Sequence, residues 1–366
     1  MPIIGIFIAL LIITHILHKV YAKACLKNLD IQLSVSANTA TEGDTLTLTE
    51  VLSNNKWLPL PWVAVKFFMG RELQFASSAA VTDAYYRNDL FHILMHQKIT
   101  RRLAFTCTKR GYYTVDNIDL TSWDVLMISK YAQKYPCNVH LTVFPATIPT
   151  DEIDGICTQV YGHLRTRIPI HPDPFSFRGI REYSSTDTMK AINFKASARG
   201  MGLMSNVWDF ANARQVTILL DTQRHIHLHR EHLEEYAIKL VASIAEKMTA
   251  MGTPISFVTN AKSVITSGDI APIPEGLGTQ HTYAILEALA YIDLNNQDMK
   301  PFAQVLDDAT ISGRLESEYW IVTAYYSKAV EAAYLRLKET GACVVWITPD
   351  RKPADTDFCE DIFFVE

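Results

Sequence analysis

The sequence predicts an α+β multidomain chain: an N-terminal transmembrane helix, a small antiparallel β-sandwich and a C-terminal doubly wound α/β domain. Three observations predict it. The run from Pro2 to Leu17 is apolar and carries no charge. From Ile31 onward, short stretches alternate apolar and polar residues between turn signals. From Val216 onward, continuous apolar runs alternate with amphipathic helical segments. The boundaries that follow are 1–27 for the anchor, 28–148 for the sandwich, 149–215 for a linker with a charged block, and 216–366 for the α/β domain.

Pro2 to Leu17, extended through Val20, Tyr21 and Ala22, reaches the roughly 20 residues that a bilayer span needs, with Lys19 free to snorkel. No Lys or Arg precedes the run, as the basic segment of a cleaved signal peptide would require, so a retained anchor is expected. Lys19, Lys23 and Lys27 follow it, and positive-inside bias then expects a single-pass protein of the cell membrane with its soluble domains in the cytoplasm.

Ile31–Ser36 and Thr45–Val51 alternate with the period of half-buried strands, divided by a turn at Glu42-Gly43-Asp44. Leu60 to Phe67 starts a third strand, with Pro61 at its edge. Arg102–Cys107 and Tyr112–Val115 read as a hairpin about Lys109-Arg110-Gly111 with solvated charges. In Trp57-Leu58-Pro59-Leu60-Pro61-Trp62 the aromatics are expected to pack into core and edge. Val139 to Pro145 reads as a strand, and 149–174, proline-punctuated and without a clear period, as a linker.

In the last domain Val216–Leu220, Pro254–Thr259, Tyr319–Ala324 and Cys343–Thr348 read as buried strands. Glu231–Met251, Thr282–Ile292 and Lys328–Glu339 read as helices, the last capped by Gly341. Ligands of such folds sit beyond the carboxyl ends of the strands, here at Asp221, Thr259 and Thr323–Tyr325.

The net charge of −5 provides no basic stripe, so no nucleic-acid partner is expected. The six cysteines are scattered with no C-x-x-C pair, which argues against a zinc ribbon or a thioredoxin-like site. Glycine-rich phosphate loops, H-E-x-x-H and G-x-S-x-G are all missing, so neither a cofactor nor a named catalytic machinery is expected. His225, His227, His229 and His232 read as a solvated loop in preference to a zinc site.

A block of charges of both signs runs from Phe177 to Arg199, just before the first buried strand of the last domain. It resembles the signature of the domain-of-unknown-function 58 family, roughly G-x-R-E-Y-x-x-G-D-x-x-R-x-I-x-W-x-x-S-A-R. Gly179, Arg181, Glu182, Tyr183, Asp187, Ile192, Ser197, Ala198 and Arg199 match at that spacing. Thr186 stands for Gly, Lys190 for Arg and Phe194 for Trp. The family usually carries two adjacent spans, and one is legible here. The resemblance implies a membrane-anchored interaction protein with a von Willebrand factor A-like C-terminal domain, partnered by a MoxR-type AAA+ ATPase. Two alternatives stand beside that adaptor reading: an envelope-associated hydrolase using the strand edge near Asp221, and a metal-dependent adhesion-like module.

For the block itself, a buried clasp of Arg181, Glu182, Asp187 and Arg199 is favoured over a partner-docking surface. The metal site implied by the von Willebrand factor A resemblance is degenerate. Asp221 is present, Gln223 and His225 stand where serines belong, and Thr279 is the candidate threonine. No bound metal is expected.

Overall fold

The computed structural model describes residues 2–75, 86–124, 127–167, 177–184, 189, 192–199, 202–208, 215–223, 231–296, 298–312, 317–349 and 362–364. Along the chain run helix α1 (Pro2–Ala24) and strands β1 (Leu29–Val35), β2 (Thr39–Thr41), β3 (Thr45–Asn54), β4 (Leu60–Phe68), β5 (Leu73–Phe75), β6 (Tyr86–Ile93), β7 (Lys98–Cys107), β8 (Gly111–Trp123) and β9 (Lys130–Phe144). Next come α2 (Thr150–Arg167), β10 (Phe177–Glu182), α3 (Phe194–Ser197), β11 (Met204–Trp208), β12 (Gln215–Asp221), α4 (Glu231–Ala250), β13 (Ile255–Thr259), β14 (Ile273–Gly276), α5 (Thr279–Ala290), α6 (Phe302–Ser312), β15 (Ser317–Thr323), α7 (Lys328–Glu339), β16 (Cys343–Thr348) and β17 (Ile362–Phe364). The chain forms two compact units, 1–146 with 262–268 and 286–293, and the remainder.

In the first unit two sheets, ordered β1-β3-β7-β5 and β2-β9-β8-β4-β6, enclose one apolar core. The alternation in the sequence does the work: on β3, Leu48 and Leu52 point inward while their neighbours stay wetter. The expected hairpin about Lys109-Arg110-Gly111 is a crossover instead. β7 pairs with β3 and β5, whereas β8 pairs with β4 and β9. Alternation marks a strand but does not say which sheet it joins. Arg110 is not solvated either. It is buried and donates to the main-chain oxygens of Leu289 and Ile292 within the same unit.

The C-terminal end of α1 belongs to this core. Tyr21 and Cys25 are buried among the sandwich residues, and the Tyr21 hydroxyl donates to Pro59 O at 2.8 Å. Lys56 Nζ donates to Cys25 O at 2.5 Å and to Lys27 O at 2.7 Å, satisfying carbonyls of the segment that leaves the helix. Residues Ile4–Ala24 are long and apolar enough to cross a membrane, and Ile4 to Ile16 is largely exposed.

In the second unit the sheet order is β14-β13-β12-β15-β16-β17. β12 pairs in parallel with both β13 and β15, and β14 joins the edge antiparallel. Leu219, Tyr319, Ile321, Val344 and Trp346 pack against α6 and α7 on one face. Ile218 and Leu220, of opposite parity, are equally buried. Helices on successive connections make β12 and β15 the pair where strand order reverses.

Residues 150–167, expected as part of a linker, form α2. Ile153, Ile156, Cys157 and Val160 are buried at helical spacing, Tyr236 donates to Glu152, and Asp154 pairs with Lys247 at 2.5 Å. Apolar residues interrupted by Gly155 and Gly162 and by many polar side chains give too faint a period to read without the surface they cover.

Candidate functional site

Two places in the second unit gather the residues singled out by the sequence. At the first, β10 and β11 form a two-stranded antiparallel ribbon that brings Arg181 opposite Ser205. The short helix α3 is fastened to it. Asn193 caps α3, its Oδ1 accepting from Ala196 N at 2.9 Å, while its Nδ2 donates to Asn206 Oδ1 at 2.7 Å. Ser197 Oγ donates to Asn193 O at 2.8 Å and accepts from Met204 N at 2.9 Å. Ser197 is thus committed to holding the ribbon together. Asn193 shares that task, and nothing in its spacing alone marked it.

The described charged side chains of the block face water. Arg181, Glu182 and Arg199 are exposed and Tyr183 is half-buried. The buried clasp expected for Arg181, Glu182 and Arg199 is therefore not what the fold builds. Asp187 and Lys190 lie outside the described residues. Exposed apolar side chains accompany the charges: Phe194 at 74%, Leu203 at 56% and Ile180 at 44%.

The second place is the carboxyl end of β12 and β15, where Asp221 and Thr323 are register partners. Asp221 Oδ1 accepts from Gln223 N at 2.8 Å and Asn260 Nδ2 at 3.0 Å, and Oδ2 accepts from Thr323 Oγ1 at 2.9 Å. Asn260 Oδ1 in turn accepts from both the main chain and the hydroxyl of Thr222. Burial, opposed by these hydrogen bonds and aided by the Glu234 charge, pushes the Asp221 carboxyl up to about 6. Glu234, itself buried, accepts from the Tyr325 hydroxyl at 2.9 Å. Asn260 is the member that sequence reasoning missed, because it becomes a partner of Asp221 only when β13 lies beside β12.

The degenerate metal positions do not converge. Gln223 adjoins Asp221, but its side-chain oxygen accepts from Phe302 N at 3.1 Å. His225 lies outside the described residues, as do His227 and His229, and His232 is exposed on α4. Thr279, the candidate threonine, belongs to the opposite edge of the sheet. Two residues after it, the His281 ring bonds Ile255 O at 2.8 Å, and Ile255 pairs with Val216. Val216 lies five residues before Asp221, about 16 Å along the strand. Among the described residues, no group of three or more His, Cys, Asp or Glu is placed to hold a metal ion. A cavity of about 410 Å³ opens on the face of β12, bordered by Thr217, Leu219, Asn260, Lys300 and Tyr319, and Asp221 does not line it.

Among the described residues, fold and sites together define an apolar helix, a β-sandwich, and an open α/β unit with a closed polar cluster at its switch point. No family model and no curated protein matches the sequence. Among solved structures, the chain is similar to a type II cohesin domain from the cellulosome of Acetivibrio cellulolyticus, at 8% identity and a TM-score of 0.24, over 31% of this chain and 95% of that one. It is also similar to CaCohA2 from Clostridium acetobutylicum, at 14% identity and TM-score 0.23, over 32% and 93%. A third is the CARDB domain of a Pyrococcus furiosus protein, in complex with di-metal ions, at 11% identity and TM-score 0.22, over 32% and 90%. At such TM-scores the likeness carries no argument about what the chain does.

Proposed function

We propose that this chain is a membrane-anchored adaptor whose β10–β11 ribbon, with α3, docks a protein partner, with a MoxR-type AAA+ ATPase as the partner class. The observation that carries the reading is the ribbon's surface. Arg181, Glu182 and Arg199 stand exposed among Ile180, Phe194 and Leu203, the mixture of apolar anchors and charges that interfaces use. A von Willebrand factor A-like identity for the second unit is supported by Asp221 at the end of the central strand. The apolar helix supports a retained single span, and Lys19, Lys23 and Lys27 after it favour a cytoplasmic location for both units.

A hydrolase working through Asp221 is less well supported. Its carboxylate is buried, already accepts three hydrogen bonds and stands outside the neighbouring cavity. The test is a pull-down from native membranes with the full chain and with the double variant Phe194→Ser, Arg199→Ala. Both sites are exposed, so the variant should melt within about a degree of the parent while recovering at least about tenfold less partner. Equal recovery by the two chains removes the ribbon from the interface.

A further inference from the structure

The end of the sandwich that receives α1 carries more apolar surface than a solvated loop cluster needs. Register places the loops around β1, β3, β4, β6, β7, β8 and β9 at that end. Leu29 pairs with Asn54, Ser53 with Lys98, Leu60 with Ile93, and Trp123 with Lys130. The loops are tied to each other and to the helix. Buried Asn54 donates to Leu58 O and Leu94 O, His96 N donates to Lys56 O, and Lys56 holds the carbonyls of Cys25 and Lys27 just after α1. From them Trp57 (69%), Leu94 (49%), Met95 (58%), Met127 (55%) and Ile128 (74%) point outward. The tryptophans of the 57–62 stretch were expected to pack into core and edge. Leu58 and Leu60 take that place and leave Trp57 in the open.

Asp124, Ile128 and Ser129, between β8 and β9, lie beside α1. Ile128 and Asp124 share a cavity wall with Leu11, Thr14, His15 and His18. Ser129 Oγ and His18 Nδ1 are 3.2 Å apart, and His18 is 6 residues before Ala24, about 9 Å back along the helix axis. Buried Asp124 fixes the turn, its Oδ1 accepting from Ile128 N at 2.8 Å, and Met127 adopts a positive φ of 55°. A placement of Ile4–Ala24 across a bilayer therefore brings Ile128 beside the last turns of the span.

We infer that Trp57, Leu94, Met95, Met127 and Ile128 form a lipid-contacting rim that seats the sandwich in the headgroup–acyl boundary of the membrane α1 crosses. This rests on the anchor reading above. The chemistry fits: an amphipathic indole and flexible apolar side chains, surrounding a span, are the groups that settle at that boundary. Lys27 and Lys130, exposed at the same end, are suited to lipid phosphates.

The test uses the full chain in phosphatidylcholine–phosphatidylglycerol vesicles whose lipids are brominated near the carboxyl end of the acyl chains. Flotation with the vesicles reads the anchor, and quenching of tryptophan emission reads the rim. The expected result is a quenched component that is lost in Trp57→Phe, with both proteins floating equally. Equal flotation with identical quenching in the two proteins overturns the rim and leaves the anchor standing. A Trp57 component that responds to protein concentration but not to bromine assigns the surface to a second copy and overturns the lipid assignment. Failure of the full chain to float removes anchor and rim together.

Discussion

Asp221 shows what a single buried carboxyl does to the energetics of this fold. Its folded pKa, about 6, lies above the ordinary 3.8, so between those values the folded state binds the proton more tightly than the unfolded state. Stability from this group is thus fully present below about pH 4 and is lost as pH rises through 6. A shift of this size corresponds to roughly 3 kcal/mol. Asp221→Asn keeps the acceptor toward Gln223 N and Asn260, and its new amide can donate to Thr323 Oγ1, whose hydroxyl has Tyr325 O at 2.8 Å as an alternative acceptor. Thermal melts should show the variant more stable than the parent at pH 8 and converging with it near pH 4. Parallel melting curves across that range would dismiss the account. Glu50 follows the same physics in the sandwich. Burial and the neighbouring Asp89 carboxylate push it up to about 8, while Asp89 is held by Arg87 at 2.5 Å and Arg101 at 2.8 Å. That cluster was illegible in the sequence, since its members come from β3, β6 and β7 and meet only after the sheets stack.

At the scale of an element, α1 is the informative case. Its apolar composition marked a span, yet its last turns are as much a part of the sandwich as of any membrane. Lys56 is the joint: burial lowers its pKa to about 8, and its ammonium spends two donors on Cys25 O and Lys27 O. Lys56→Ala leaves both carbonyls without that partner, a cost of about 2 kcal/mol. The expected reading is a melting temperature lower by about 4–8 °C for the full chain in detergent. A change under a degree would mean that water replaces the ammonium without penalty. Helices α4 and α7, with well-separated apolar stripes, fall at Glu231–Ala250 and Lys328–Glu339, close to the limits read from the sequence. Gly341, at φ 83°, terminates α7 as its sequence position indicates. α6 went unread, because Phe302, Val305 and Leu306 become a face only against α7 and the sheet.

For the molecule as a whole, the burial of Tyr21 and Cys25 at 2% and 1% determines where the chain can be cut. A chain beginning at Asp30 loses both core side chains and the carbonyls that Lys56 satisfies. It should be less stable than one beginning at His18 by roughly 3 kcal/mol or more, about 6–12 °C in melting temperature. Both truncated chains should leave the membrane fraction while the full chain remains in it. Equal melting of the two would show that α1 adds nothing to the sandwich. Full chain recovered in the soluble fraction without detergent would end the anchor reading.

The sequence by itself determined the apolar helix, the period-two strands of the sandwich and the apolar strands that alternate with α4 and α7, since each of these is a local pattern repeated over enough residues to be read. Only the tertiary structure decided which sheet each strand joins, that 150–167 is helical, that Arg110 is buried while Arg181, Glu182 and Arg199 are exposed, and that Thr279 stands at the far edge from Asp221. Burial and hydrogen-bond partnership belong to pairs of residues, and for these pairs the chain separation is far longer than any local period. The charge of a side chain is written in the sequence, but whether it meets water or another side chain is set by which elements pack beside it.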